Sequence, residues 1–146
     1  MNYFSVLALL AGAAIAIQAG MNAQLGMLLK SPLLAAAVTF MVACGSVLVV
    51  VVISTRQLPT TTSIHAVPGY LWFSGAISAF GVVLFYFLIP RMGVGSMMSY
   101  ALTGQLLIAM LISHYGWFDL PETPVTISKL VGVLAMIVGI VLINRR

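Results

Sequence analysis

Gln18-Ala-Gly-Met-Asn22-Ala-Gln24-Leu-Gly26 places three carboxamides inside a hydrophobic run that begins at the third residue. A carboxamide moved from water into hydrocarbon without a partner costs on the order of 4–8 kcal/mol. Such groups persist in lipid where they pack against other helices or line a wet cavity. Gln18 and Asn22 are four residues apart and share one face of a helix, with Ala11, Ile15 and Gly26 on or near the same stripe. The face is both small and polar. Two uses fit it: the wall of a pathway, and the polar bonding of one helix to another. Gln24 points to another side and reads as an interfacial residue.

Everything around that stretch says membrane. The chain has 146 residues, 62% of them apolar and 5% charged, with a mean hydropathy of +1.19. A soluble domain carries about 25% charged residues, so this composition belongs to an integral membrane protein with little soluble mass. The net charge of +4 comes from cations scattered at the ends of apolar runs, a pattern of topology and not of nucleic-acid binding. Cys44 stands alone in an apolar run; one thiol makes neither an intrachain disulfide nor a metal site. The first run has no Lys or Arg before it and is longer than the 7–15 residues or so of a secretory h-region, so it reads as a span.

Prolines and charges divide the chain. Lys30-Ser31-Pro32 closes the first span and opens the second, with Ser31 as N-cap and Pro32 as first helical residue. Pro68 opens the third, with Tyr70 and Trp72 as headgroup-level anchors. Pro90-Arg91 reads as a tight reversal, and Thr123-Pro124 repeats the cap-then-proline pattern before the last span. The expected spans are 3–29, 33–54, 69–89, 94–114 and 125–143. Each offers about 20 residues, which a hydrocarbon core of about 30 Å demands. The expectation is a single all-α, five-helix membrane domain over residues 1–146.

An odd number of spans puts the termini on opposite faces. Lys30, Arg91, Arg145 and Arg146 fall on one side, Arg56 and Lys129 on the other. This balance favours a cytoplasmic C-terminus. Its narrow margin also admits insertion both ways round and an antiparallel dimer.

The fourth span is the second polar one: Gly93-Val-Gly-Ser96-Met-Met-Ser99-Tyr100-Ala-Leu-Thr103-Gly-Gln105. Glycines after Pro90 allow the backbone to open at membrane depth. Gln105 lies near mid-span and is expected to face either the Gln18/Asn22 stripe or a neighbouring helix. Ser96, Ser99 and Thr103 add hydroxyls that line the same path or bond back to their own helix. Tyr100 and Trp72 offer aromatic faces to an organic cation, or serve as anchors. Tyr86, near the end of the third span, reads as an anchor.

Small residues mark close helix approaches: Gly12, Ala16 and Gly20; Gly75 and Ala79; and Gly132, Ala135 and Gly139. The last set lies on a span almost devoid of polar side chains, which reads as a packing or dimerisation helix. The only acids, Asp119 and Glu122, sit in the last loop. His114 is close enough in sequence to pair with Asp119 as a coupling site. No metal-ligand cluster, activated nucleophile or phosphate-binding glycine loop is present, so neither catalysis nor a cofactor is expected.

These motifs resemble, in order and spacing, the YdcZ-like group of small bacterial inner-membrane proteins within the drug/metabolite transporter superfamily. The resemblance covers most of the length. It is carried by the Gln18–Gly26 stretch, Ser31-Pro32-Leu33 with Phe40, Trp72 with Gly75, and Pro90-Arg-Met-Gly93. Gly104-Gln105-Leu106, His114-Tyr-Gly116 and Gly132 complete it. It implies half of a ten-helix inverted-repeat carrier, needing a second inverted half: an antiparallel copy of itself or a paralogous subunit. The function it implies is transport of a small polar or amphipathic metabolite along a pathway at the chain–chain interface. A passive channel for a small anion or neutral solute, and a non-transporting membrane subunit or assembly factor, remain open beside it. Two departures argue against proton- or cation-coupled exchange. The related small multidrug resistance proteins carry a glutamate in their first helix, absent here, and Ser113 stands where relatives often have an acid.

Overall fold

A computed structural model describes residues 2–54 and 59–145. Arg56 and Arg146, counted above in the charge balance, lie outside them. Among the described residues every regular element is a helix, and five are long and apolar enough to cross a membrane.

Helix α1 spans Tyr3–Leu28, capped by the Asn2 side chain, which accepts from the Ser5 N–H at 3.0 Å. Helix α2 spans Pro32–Ser54. The N–H groups of the reversal between them bond back to the end of α1. Lys30 takes a left-handed φ of 54°, its N–H bonds the Met27 carbonyl at 3.1 Å, and the Ser31 N–H bonds the Gly26 carbonyl at 2.9 Å. This is the pair of bonds that ends a helix in a Schellman motif, where glycine usually occupies the left-handed position. Ser31 Oγ then accepts from the Leu34 N–H at 3.2 Å and caps α2.

Helix α3 is a single turn, Thr61–His65, started by Thr60. A 3-10 turn, Gly69–Phe73, leads into α4, Ser74–Met92. The chain does not turn at Pro90. A proline in a last turn loses one hydrogen bond but keeps a helical φ, so α4 continues to Met92. The break falls at Gly93, whose φ of 84° favours a residue without Cβ.

Helix α5, Val94–Tyr115, is unbroken through Gly95 and Gly104 and ends on the left-handed Gly116. Helix α6 covers Ile127–Asn144. Its cap is Thr126, accepting from the Lys129 N–H at 3.4 Å, and not Thr123. The Thr123 N–H instead bonds the Ser113 carbonyl at 2.7 Å, residues 120–126 stay outside any helix, and α6 starts two residues later than expected.

The described residues group into two compact units, one ending at Arg91 and one beginning at Met92. In the first, the buried positions are small: Ala19, Ala23 and Gly26 of α1 and Ala35 and Ala36 of α2, joined by Tyr86 and Ile89 of α4. Small side chains let backbones approach closely, the packing that helices use where lipid offers no hydrophobic gain. In the second, Met97 of α5 and Val133 and Ile140 of α6 are buried. Large apolar side chains on every long helix face outward, as contact with lipid requires.

Candidate functional site

In the first unit, α1 presents Gln18 and Asn22 one turn apart beside α2. Between the two helices lies an open cavity of about 370 Å³, lined by Gln18, Asn22, Leu25, Val38, Thr39 and Val42 among others. Its polar groups are few and neutral. Thr39 Oγ1 donates back to the Ala35 carbonyl at 2.8 Å, so the hydroxyl is partly spent on its own helix. Asn22 is half-buried and its Nδ2 donates to Tyr86 Oη at 2.9 Å. Tyr86 is only 3% exposed and packs with Ala35 and Ala36. It is a core residue and not a headgroup anchor. Gln18 is exposed and has no hydrogen-bond partner among the described residues.

The two amides therefore differ. Asn22 uses one N–H on α4, which leaves its other N–H and its carbonyl oxygen for the cavity. Gln18 brings two donors and an acceptor to the same space, all unspent. With no charge in its lining, the cavity is suited to a neutral or zwitterionic solute bound by hydrogen bonds, or to an amphipathic one that also uses Leu25, Val38 and Val42. Gln24 is exposed on another side of α1. Trp72, 64% exposed, sits on the 3-10 turn that precedes α4, at a span end next to Tyr70.

In the second unit, Ser99 Oγ donates to the Ser96 carbonyl at 2.8 Å and Thr103 Oγ1 to the Ser99 carbonyl at 3.0 Å. Both hydroxyls bond back to α5. Ser99 also accepts from Asn144 Nδ2 at 3.1 Å, and Asn144 donates to the Ile140 carbonyl at 2.8 Å, which ties the end of α6 to α5. An apolar cavity of about 220 Å³ beside this tie is lined by Ser99, Leu102, Met136, Gly139, Ile140 and Ile143. Tyr100 and Gln105 are exposed and have no hydrogen-bond partner among the described residues.

His114, exposed in the last turn of α5, accepts the Val125 N–H on Nδ1 at 3.4 Å and packs edge-on to Tyr115. Asp119 holds a left-handed φ of 57° and makes no ion pair among the described residues. Gly132 and Gly139 lie on α6 with nothing in their own unit within 4 Å of a built Cβ, and Ala135 between them is exposed. This seam is bare. Among the described residues no group of three His, Cys, Asp or Glu comes together, and Cys44 is a free, exposed thiol.

The sequence reading took Tyr86 for an anchor and passed over Asn144. Each supplied one half of a visible signal, a polar group in an apolar span. The other half was the register between spans, which a single sequence does not state.

Residues 3–142 match the family model DMT_YdcZ, described as "Putative inner membrane exporter, YdcZ", and no curated protein or solved structure matches the chain. Five apolar spans, polar stripes on the first and fourth of them and a match over nearly the whole length lead to one assignment: the chain belongs to the YdcZ family of inner membrane proteins.

Proposed function

We propose that the chain is half of a transporter for a small polar or amphipathic metabolite. Two copies, or one copy and an inverted paralogue, pair antiparallel around a pathway built from Gln18, Asn22 and Gln105, with the hydroxyls of Ser96, Ser99 and Thr103 nearby. Trp72 and Tyr100 add aromatic faces to its lining, and His114 with Asp119 is its candidate coupling site. Transport proceeds by rocking of the two halves about a midplane site, the general pattern of inverted-repeat carriers.

The observation that carries this reading is the amide of Gln18, without a partner among the described residues, at the open 370 Å³ cavity. In hydrocarbon such a group demands water, protein or a solute, and an interface that forms a wet path supplies all three. The bare Gly132/Ala135/Gly139 seam supports the pairing, because small residues left uncovered on a span are the usual contact of one helix with another.

The neutrality of the cavity favours one second reading, a passive facilitator. Hydroxyls and amides suffice to replace a solute's hydration shell. Apart from terminal turns, no Asp, Glu, Lys or Arg lies in the described spans to carry a coupled proton. The test is flux in liposomes of purified protein across a panel of amino acids, polyamines, sugars, nucleosides and quaternary amines. Saturable flux of one class that a pH gradient does not accelerate supports a carrier without proton coupling; flux linear in concentration supports the facilitator. A folded preparation that moves nothing overturns both. Reporter fusions at the C-terminus, in one orientation or both, separate a partner subunit from a dual-topology homodimer.

A further inference from the structure

Where α1 ends, α2 begins and α4 finishes, an open cavity of about 430 Å³ is lined by Met27, Lys30, Pro32, Phe87, Pro90 and Arg91 among others. Two cations rim it, and residues 1–91 contain neither Asp nor Glu. The two acids of the sequence, Asp119 and Glu122, belong to the other unit.

Both cations are presented in specific ways. Lys30 holds a left-handed φ of 54° at a helix end where glycine is free of strain; its ammonium has no partner among the described residues. Arg91 lays its guanidinium over the Phe87 ring, 3.6 Å from the centroid, and donates one N–H to the Phe87 carbonyl. That posture fixes the head at the rim and leaves further donors open. Pro32 brings the start of α2, the positive end of a 23-residue helix, to the same space. Of the carbonyls at the end of α1, which would repel an anion, those of Leu25, Gly26 and Met27 are occupied by the turn's own N–H groups.

We propose that this pocket seats the phosphate of an acidic phospholipid, clamped by Lys30 and Arg91. Below the cations the wall is apolar, and Met27 (56% exposed) and Phe87 (41% exposed) continue it down the lipid-facing surface. An anionic head joined to an acyl chain matches both parts; a free phosphate matches only the rim. The proposal does not depend on the transport reading.

Electron spin resonance of the whole protein in phosphatidylcholine vesicles tests it, with spin-labelled phosphatidylglycerol or phosphatidylcholine as the probe. The protein should immobilise phosphatidylglycerol preferentially. Each cation near a membrane surface contributes about fivefold to the attraction of an anionic lipid, so Lys30→Gln with Arg91→Gln should bring the preference to that of phosphatidylcholine. Lys129→Gln should leave it unchanged, since Lys129 already donates to the Thr123 and Pro124 carbonyls. The charge-preserving pair Lys30→Arg and Arg91→Lys should retain it, which separates charge from folding. No preference in the wild type, or a preference untouched by the double glutamine variant, overturns the proposal. So does full displacement of the labelled lipid by millimolar inorganic phosphate, which would assign the site to the free ion.

Discussion

Asn22 Nδ2 donates to Tyr86 Oη across 2.9 Å, joining two spans that are 64 residues apart in the chain. The bond assigns different work to neighbouring amides. Asn22 is committed in part to holding α4 against α1, while Gln18, one turn away, is free for the cavity. A polar stripe that reads as one feature in sequence is thus divided between structure and chemistry.

Tyr86→Phe should leave the Asn22 amide without its partner. Polar pairs between membrane helices are worth about 0.6 kcal/mol on average and up to about 1.7; the buried position of Tyr86 puts this pair toward the upper end. Unfolding in mixed micelles should show the loss. A double-mutant cycle with Asn22→Leu should recover part of it, whereas additive losses would mean that the bond contributes nothing.

Gln18→Leu should do the opposite. It removes an amide with no partner, so stability should hold or rise. Flux of any transported solute should fall on the order of tenfold, the effect of one lost solute hydrogen bond of about 1–1.5 kcal/mol. Undiminished flux through Gln18→Leu vesicles would remove Gln18 from the pathway.

Gly26 sits where α1 meets the start of α2. A Cβ there would lie 3.5 Å from Pro32 Cα and 3.6 Å from Ala35 Cβ, ordinary contact distances. Gly26→Ala should therefore fold normally. Gly26→Leu must push a branched side chain into backbone, with an expected loss of about 1–3 kcal/mol. Ser31→Ala, which removes the α2 cap, should cost about 1 kcal/mol. Thermal unfolding of the three variants orders them, and a stable Gly26→Leu protein would mean that the hairpin is looser than drawn.

What the sequence made legible follows from how strong each local signal is. Lipid solubility over twenty residues has no soluble alternative, so five spans are evident from composition, and Ser31-Pro32 marks a boundary because cap and proline agree. Thr123-Pro124 looks the same, yet the cap is Thr126: the choice between the two threonines rests on the bond from the Thr123 N–H to Ser113, a tertiary contact. Pro90 misleads for a related reason, since a proline in a last turn and a proline in a reversal look alike until the φ of Gly93 is known. The site was legible as a list of polar residues in apolar spans. Which of them are already satisfied was not, because Tyr86 and Asn144 act across helices and neither helix states its register.

The bare seam of α6 gives the sharpest test of how two copies meet. Built Cβ atoms at Gly132 and Gly139 touch nothing within 4 Å, so replacing either with leucine should leave the fold of its own unit intact and weaken only association. Single-molecule fluorescence in vesicles should show fewer dimers for Gly132→Leu with Gly139→Leu, at unchanged helix content. Cysteine cross-linking in a Cys44→Ala background then reads the orientation. Along a helix, positions 132 and 139 are about 10.5 Å apart, too far for one disulfide to reach both. In an antiparallel pair with its two-fold axis in the membrane plane near Ala135, Ala135→Cys pairs with its own copy. Gly132→Cys then pairs with Gly139→Cys and neither pairs with itself. In a parallel pair every position pairs with its own counterpart. Self-cross-linking at both 132 and 139 would exclude the inverted arrangement and move the pathway away from this interface.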